Sequence, residues 1–247
     1  MHDKIQESKN EQLEELGKLT GELAHEIKNP LSTIKINLRL IREELEQLES
    51  ALLDRPSIEK CDHKFAMALR KISVIEKETD RLEQILDGFL RYISKTELQI
   101  ASVDINELIS DMIDFYSPQA YSHSIIIRHS LYNKPLICKA DEVMLKQAIL
   151  NLLINAQQAM KDSGELIVRT DRQKKDVVIQ ISDTGSGISP ERLPNIFNAY
   201  YSFRHRGSGL GLPTTKKIID AHNGTISVDS ELGKGTSFTI KLPLQEQ

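Results

Sequence analysis

The chain has 247 residues, enough for two domains, since a domain usually has about 100–150 residues. Its hydrophobic fraction of 39% and charged fraction of 28% are typical of a soluble globular protein. A net charge of −4, an aromatic fraction of 5% and the absence of Trp argue against a nucleic-acid-binding protein.

No apolar run approaches the ~20 residues that a membrane helix needs, and no hydrophobic signal core opens the chain. We therefore expect a cytoplasmic chain that makes no membrane contact itself. If it was cut from a receptor, an upstream sensor or membrane segment lies outside it. Cys61 and Cys138 are far apart in sequence and are expected to be reduced thiols.

The first part of the chain predicts a long helix over residues 10–53. Its apolar residues recur at steps of three and four, which is typical of a coiled coil or helix bundle. They are Leu16, Leu19, Leu23, Ile27, Leu31, Ile34, Leu38, Ile41, Leu45, Leu48 and Leu52. Pro56 ends this helix and Ser57 can cap a second one over 58–93. The stripe expected on this second helix is Phe65, Ala68 or Leu69, Ile72, Ile75, Thr79, Leu82, Leu86, Phe89 and Ile93. The two helices predict an antiparallel hairpin. One hairpin is too thin to bury both apolar stripes, so we expect a homodimer that forms a four-helix bundle.

The second part predicts an α+β domain in which a mostly antiparallel sheet carries helices on one face, an α/β sandwich. We place the boundary so that residues 1–97 form the helical domain and 98–247 the second domain. Asp141 is expected to be the N-cap of a central helix. The predicted helices cover 104–117, 141–161, 190–197 and 213–222; the predicted strands cover 124–131, 136–140, 165–170, 177–182, 225–229 and 236–242, with a polar connection over 171–176.

The long first helix contains a compact polar motif, His25-Glu26-x-x-Asn29-Pro30. His25 is about 200° around the helix from Leu23, so it points away from the apolar stripe. Neutral imidazole is a nucleophile at physiological pH, and Glu26 can orient one ring nitrogen. Asn29, four residues on, shares the face of His25.

Two asparagines, Asn151 and Asn155, are one turn apart on the predicted helix 141–161. Asparagine is a poor residue for a helix interior, because its amide competes for backbone hydrogen bonds. Amide oxygens are suitable ligands for Mg²⁺. The pair therefore indicates side chains that serve a binding site.

Glycine clusters follow in the same half of the chain. Asp183 ends a predicted strand and can accept a hydrogen bond from an exocyclic amine, while Gly185 and Gly187 permit close approach of a planar ring. Three alternating glycines within 207–212 precede a predicted helix and can form an anion site of backbone amides. Their spacing fits neither a dinucleotide fingerprint nor a Walker A loop.

The motif at His25 resembles the H box of sensor histidine kinases, and the later clusters resemble, in order and spacing, the N, G1, F and G2 boxes of the GHKL (Bergerat) ATP-binding fold. The resemblance covers about residues 16–242. It implies that His25 is the phosphoacceptor, Glu26 its acid/base partner and Asn29 the residue that helps to dephosphorylate a partner protein. The short segment between 203 and 207 resembles the nitrogen-regulatory subclass.

The same resemblance assigns a nucleotide pocket. It implies that Asn155 is the main Mg²⁺ ligand, that Asn151 assists it and that Asp183 binds adenine. The other pocket residues that it implies are Gly185, Gly187, Ile188, Tyr201, Arg204, Ser208, Gly209, Leu210, Gly211, Leu212 and Thr236. Gln158 stands where some members of the family have Lys or Arg, which removes one possible phosphate contact.

The activity implied by the resemblance is ATP- and Mg²⁺-dependent autophosphorylation on His25. The phosphoryl group would then pass to an Asp on the receiver domain of a separate response regulator, and phosphatase activity toward that regulator is expected. Three alternatives remain: a GHKL-type ATPase of the chaperone or mismatch-repair kind, a Ser/Thr kinase built on this fold, and a dimeric scaffold without catalysis.

Overall fold

The computed structural model describes residues 2–52, 58–93, 98–160, 163–201 and 209–245, which divide into two compact units after Arg91. The helical unit consists of helix α1 (His2–Leu52) and helix α2 (Ile58–Ile93). The bounds of α2 are as predicted, and the predicted turn at Pro56 and Ser57 lies outside the described residues. Within the described ranges, no helix is long and apolar enough to cross a membrane.

The helical unit buries a narrow line of apolar side chains. Among the side chains of this unit that the structure describes, the buried ones are Leu19, Pro30, Ala68, Ile85 and Phe89. An ion pair between Lys71 Nζ and Glu44 Oε1, at 2.5 Å, joins α2 to α1. Much of the apolar stripe is left 42–62% exposed, at Leu31, Leu38, Leu45, Phe65, Leu69, Ile72 and Leu86. One hairpin thus leaves apolar surface uncovered, as the periodicity predicted.

The second unit is an α/β sandwich. Its elements are strand β1 (Ala101–Asp104), helix α3 (Ile105–Ser122), strands β2 (Ile125–Ser130) and β3 (Ile137–Ala140), helix α4 (Glu142–Ala159), strands β4 (Gly164–Gln173) and β5 (Asp176–Asp183), helix α5 (Gly211–Ala221), and strands β6 (Thr225–Glu231) and β7 (Gly235–Pro243). The five-stranded sheet has the order β2-β4-β5-β7-β6, while β1 and β3 form a separate antiparallel pair. Only the β2–β4 pairing within the larger sheet is parallel.

Several elements differ from the sequence prediction, and α1 begins at His2 instead of residue 10. Strand β1 was not predicted, and α3 continues through Pro118 to Ser122. The predicted polar connection over 171–176 is mostly strand, because β4 and β5 pair down to Gln173 and Asp176 and leave a two-residue turn. Of the helix predicted over 190–197, only a single 3-10 turn, Leu193–Asn195, is present.

The core lies between the sheet and the three helices α3, α4 and α5. Alternate residues of the strands are buried, so one face of the sheet packs against the helices. Representative fully buried residues are Ile109 of α3, Leu152 of α4, Ile179 of β5, Ile219 of α5 and Ile240 of β7. This packing fixes α4 and α5 as rigid elements beneath the candidate site.

Asp141 is the N-cap of α4, as predicted. One carboxylate oxygen accepts the Met144 amide at 3.0 Å and the other accepts the Gln99 amide at 2.8 Å. The Asp141 amide donates to Nε2 of buried His222 at 2.9 Å, and His222 Nδ1 donates to the Ile218 carbonyl at 2.7 Å. The start of α4 is therefore joined to the end of α5 through an imidazole that has one donor and one acceptor nitrogen.

Candidate functional site

The two asparagines of α4 lie beside the start of α5. Asn151 Nδ2 donates to the Gly211 carbonyl at 3.2 Å and to Thr215 Oγ1 at 3.4 Å. A Cβ added to Gly211 would be 4.0 Å from both Asn151 Cγ and Asn155 Nδ2. The structure therefore brings the predicted asparagine pair together with the second glycine cluster, although they are about 60 residues apart in sequence.

The first turn of α5 has no side-chain cap from its N-cap residue. Leu210 occupies the N-cap position, is buried and has no polar side-chain atom that could accept an amide of the turn. Gly209 has φ +65°, and Gly211 begins the helix. Because the first amides of a helix have no intrahelical acceptor, an uncapped N-terminus can bind a phosphate group. Leu212 follows in this turn and is half-buried.

Asp183 is the last residue of β5 and is buried. One of its carboxylate oxygens accepts the Gly185 amide at 2.8 Å, which closes a tight turn. A Cβ on Gly185 would be 2.7 Å from three atoms of Ala159, so the turn packs directly on the end of α4. The Ser186 amide donates to the Ala159 carbonyl at 3.1 Å. This packing determines where the carboxylate of Asp183 lies.

Ser230 connects the rest of this turn to β7. Its hydroxyl accepts the Ile188 amide at 2.8 Å, donates to the Gly235 carbonyl at 2.9 Å and lies 3.0 Å from Thr236 Oγ1. Thr236 is buried and pairs in register with Asp183 across β5 and β7. Gly187, at φ +67°, lies so close to the Glu231 carbonyl that a side chain there would collide with it. Asp183, Gly187, Ile188 and Thr236 therefore lie in one connected region.

The aromatic segment after the 3-10 turn is fixed by two contacts. Phe197 packs edge-on against Phe238, with 6.4 Å between ring centroids. The Tyr200 amide donates to the Gly209 carbonyl at 3.1 Å, and a Cβ on Gly209 would be 2.7 Å from the Tyr200 backbone. Tyr201 is half-buried beside this contact. The predicted residues Arg204 and Ser208 lie outside the described residues.

The histidine motif belongs to the helical unit. His25 lies within α1, which continues through Pro30 without interruption to Leu52. Glu26 is half-buried and Asn29 is exposed. Pro30 has no N–H to donate to the carbonyl four residues earlier, while hydroxyls nearby, such as Ser32 Oγ to the Lys28 carbonyl at 2.8 Å, bond to the helix backbone.

The chemistry available in the α/β unit is that of nucleotide binding. It has a buried carboxylate at the end of a strand, two amide side chains and an uncapped helix start. Among the described residues, no group of three or more His, Cys, Asp or Glu side chains could hold a metal ion. A divalent cation here would therefore need amide oxygen, phosphate oxygens and water as ligands, which is a set that suits Mg²⁺.

Sequence reasoning missed three residues around this region: Gln147, Thr215 and Ser230. Gln147 Nε2 donates to Asn151 Oδ1 at 3.1 Å, and Thr215 is fully buried against Asn151. The spacing of Gln147 and Asn151, i and i+4 on a helix, is a recognised pairing and could have been found in the sequence. The roles of Thr215 and Ser230 depend on contacts between elements distant in sequence.

Two family models match the chain. Residues 15–98 match the His Kinase A (phospho-acceptor) domain, and residues 140–246 match the histidine kinase-, DNA gyrase B-, and HSP90-like ATPase domain. The first match contains His25 and the second contains the asparagine and glycine clusters.

Curated relatives match almost the whole chain. It is 34% identical over 236 residues to the sensor histidine kinase ZraS of Escherichia coli K12, covering 96% of this chain and 47% of the relative. It is 30% identical over 241 residues to sporulation kinase E of Bacillus subtilis 168, covering 96% of this chain and 30% of the relative. The chain thus spans half or less of the length of these relatives.

Solved structures show the same architecture. Histidine kinase ThkA in complex with the response regulator protein TrrA matches 96% of this chain and 64% of that chain, at 26% identity and a TM-score of 0.74. The catalytic domain of ThkA alone matches 59% of this chain and 96% of that chain, at 26% identity and a TM-score of 0.55.

Proposed function

Because the chain belongs to the sensor histidine kinases, with a phosphoacceptor domain followed by an ATPase-like domain, we propose that it transfers the γ-phosphate of ATP to His25. The observation that carries the proposal is the presence of two complementary parts in one polypeptide. The His25 motif lies on α1, while in the α/β unit Asn151 contacts the start of α5 and the turn after Asp183 packs on the end of α4.

ATP would be held by the α/β unit. Asp183 would accept a hydrogen bond from the adenine amine, with Gly185, Gly187, Ile188 and Thr236 around the base. The amides from Gly209 to Leu212 would bind the triphosphate, and Tyr201, Arg204 and Ser208 would complete the pocket. These assignments are supported by the turn geometry at Asp183 and by the uncapped helix start.

Mg²⁺ would be held by Asn155, together with phosphate oxygens and water. When bound, the ion neutralises charge on the phosphates of ATP. Asn155 suits this role because its amide lies beside Gly211, next to the proposed phosphate site, and an amide oxygen is a ligand that Mg²⁺ accepts. Asn151 would assist from one turn earlier on α4.

At the phosphoacceptor, a neutral ring nitrogen of His25 would form the N–P bond as the bond between the γ-phosphorus and the bridging oxygen of ADP breaks. Glu26 would bind the proton on the other ring nitrogen and stabilise the charge that develops on the ring. Such a transfer depends mainly on alignment and charge neutralisation. Asn29, which is exposed on the same helix, would act in the dephosphorylation of the response regulator.

Two partners are proposed. A second copy of this chain would cover the exposed apolar residues of α1 and α2, in a four-helix bundle. The phosphoryl group would pass from His25 to an Asp of a separate response regulator, which is supported by the similarity to a histidine kinase solved with its response regulator protein. Sedimentation of the wild type and of Leu69→Glu tests the first proposal: a wild type that remains monomeric at all concentrations would contradict it.

Labelling with γ-labelled ATP and Mg²⁺ tests the kinase. We expect an acid-labile, base-stable phosphoprotein whose label is lost in His25→Gln. The matched control is His129→Gln, the same substitution at an exposed residue of β2, which should retain the label. Label that survives acid would identify a hydroxyl acceptor. Phosphate release without any labelled protein would instead indicate an ATPase, and either result would contradict the proposal.

A further inference from the structure

The side chain of Asn151 is held by three hydrogen bonds. Its Oδ1 accepts from Gln147 Nε2 at 3.1 Å, one turn earlier on α4. Its Nδ2 donates to the Gly211 carbonyl at 3.2 Å and to Thr215 Oγ1 at 3.4 Å, both on α5. Asn151 thus joins the middle of α4 to the first turn of α5.

The orientation of this amide follows from its partners. The Gly211 carbonyl can only accept, so Asn151 must present its NH₂ group to α5 and its oxygen to Gln147. The Gln147 NH₂ group donates to that oxygen and therefore stabilises the same orientation. An oxygen engaged in this way faces Gln147, away from Gly211.

Thr215 completes the arrangement from the other helix. It is fully buried, and its hydroxyl proton is donated to the Gly211 carbonyl of its own helix at 3.0 Å. The oxygen lone pairs of the hydroxyl then remain for the Asn151 NH₂ group. Asn151 and Thr215 therefore both donate to the carbonyl of Gly211, the first residue of α5.

We propose that Gln147 and Thr215 are positioning residues of the nucleotide site that act through Asn151. They orient its amide so that it holds the start of α5 against α4. This inference rests on the proposed function, because the amides it positions are those assigned to the triphosphate. It also gives Asn151 a contact to the protein backbone as its main role and leaves Asn155 as the amide ligand for the metal.

Thr214 provides a matched control. It is a buried threonine adjacent to Thr215, and its hydroxyl likewise donates to the carbonyl four residues earlier, Leu210, at 2.6 Å. Both threonines therefore make the same intrahelical bond, but Thr215 also accepts from Asn151 across the two helices. Comparing Thr215→Val with Thr214→Val isolates the contact between the helices.

The experiment measures the affinity of the full chain for a fluorescent ATP analogue with Mg²⁺. Thr215→Val should weaken binding about three- to tenfold, which corresponds to one ordinary hydrogen bond. Thr215→Ser retains the hydroxyl and should stay within about twofold of the wild type, as should Thr214→Val. In the labelling assay, Thr215→Val should raise KM for ATP while kcat at saturating ATP changes by less than about twofold.

Gln147→Leu should weaken binding in the same way, and the double variant with Thr215→Val should lose less than the product of the two single effects, because both act through Asn151. Equal affinity of Thr215→Val and Thr214→Val, with a wild type that binds nucleotide, would overturn this inference alone. Loss of kcat without change in KM would also overturn it, because that result indicates a smaller active fraction. A wild type that binds no nucleotide would overturn the proposed function itself.

Discussion

The carboxylate of Asp141 accepts two backbone amides, and two substitutions can separate their contributions. Asp141→Asn keeps an oxygen for the Met144 amide but places an NH₂ group against the Gln99 amide. A hydrogen bond to a charged group contributes about 1.5–3 kcal/mol, so the free energy of unfolding should fall by about that amount. Asp141→Ala also removes the N-cap of α4, which costs about 1 kcal/mol more.

Urea titration followed by tyrosine fluorescence measures these differences in the free energy of unfolding of the α/β unit. Trp is absent, and all six tyrosines lie at or beyond Tyr92, so the signal does not come from residues 1–91. The midpoint should shift downward in the order wild type, Asp141→Asn, Asp141→Ala. Equal shifts for the two variants would refute the separate role of the bond to Gln99.

The effect should also depend on pH in a definite direction. Burial works to raise the pKa of the Asp141 carboxyl, but the hydrogen bonds from the Met144 and Gln99 amides, with the nearby Val143 amide, lower it below its usual 3.8. A carboxyl with a lowered pKa in the folded chain stabilises the fold above the unfolded pKa, and this contribution is lost as pH falls through the folded pKa. The advantage of the wild type over Asp141→Asn should therefore be constant near neutral pH and decline below 3.8. An advantage that grows on acidification would refute the argument.

Three other substitutions or treatments test the packing. Gly185→Ala places a methyl group 2.7 Å from Ala159 and should lower the free energy of unfolding by about 1–3 kcal/mol in the same titration; an unchanged midpoint would mean that the turn is not packed on α4. Burial raises the pKa of the Cys138 thiol to about 12, so iodoacetamide at neutral pH should modify Cys138 only after urea unfolding. Rapid labelling of Cys138 in the folded chain would contradict its burial. Lys71→Met removes the cation from partly buried Glu44 and should destabilise the helical unit by about 1.5–3 kcal/mol in circular-dichroism melts, while Lys71→Met with Glu44→Leu should recover most of the loss.

The fold was predictable where local signals agree with tertiary packing. The apolar periodicity gave α2 its bounds, and the cap chemistry of Asp141 located the start of α4. Strand β1 was missed because its four residues are strand only through pairing with β3, far along the chain. The ends of β4 and β5 were missed because their exposed polar residues show no alternation. Lys174 lies in the turn at φ +55°, a backbone conformation that a lysine in the sequence does not predict.

The helical stripe was predicted only in part. Ile85 is 3% exposed but was not among the predicted core residues, whereas Leu86 beside it, which was, is 46% exposed in the single chain. A stripe that faces α1 and, in the proposed dimer, a second copy is wider than one helix contact requires. Sequence periodicity shows how wide the whole apolar stripe is, but it does not show which of its residues face α1.

In the candidate site, the sequence located residues whose type alone implies chemistry, such as Asp183 and Asn155. It missed Thr215 and Ser230, because a hydroxyl has many ordinary roles and only the facing element gives it a specific one. Gln147 could have been predicted from its spacing of four residues from Asn151. Residues proposed to bind a ligand were therefore easier to predict than residues proposed to hold them in place.

The hydrogen bond from the Tyr200 amide to the Gly209 carbonyl joins two points of the α/β unit that are nine residues apart in sequence. A segment inserted between Tyr200 and Gly209 would have its two ends held close together by this hydrogen bond. Lengthening a loop on a closed base adds only about 0.6 kcal/mol of closure entropy for each doubling of its length. This position is therefore a natural place for grafts: segments of different length and composition can be exchanged there while the strands and helices beneath keep their geometry.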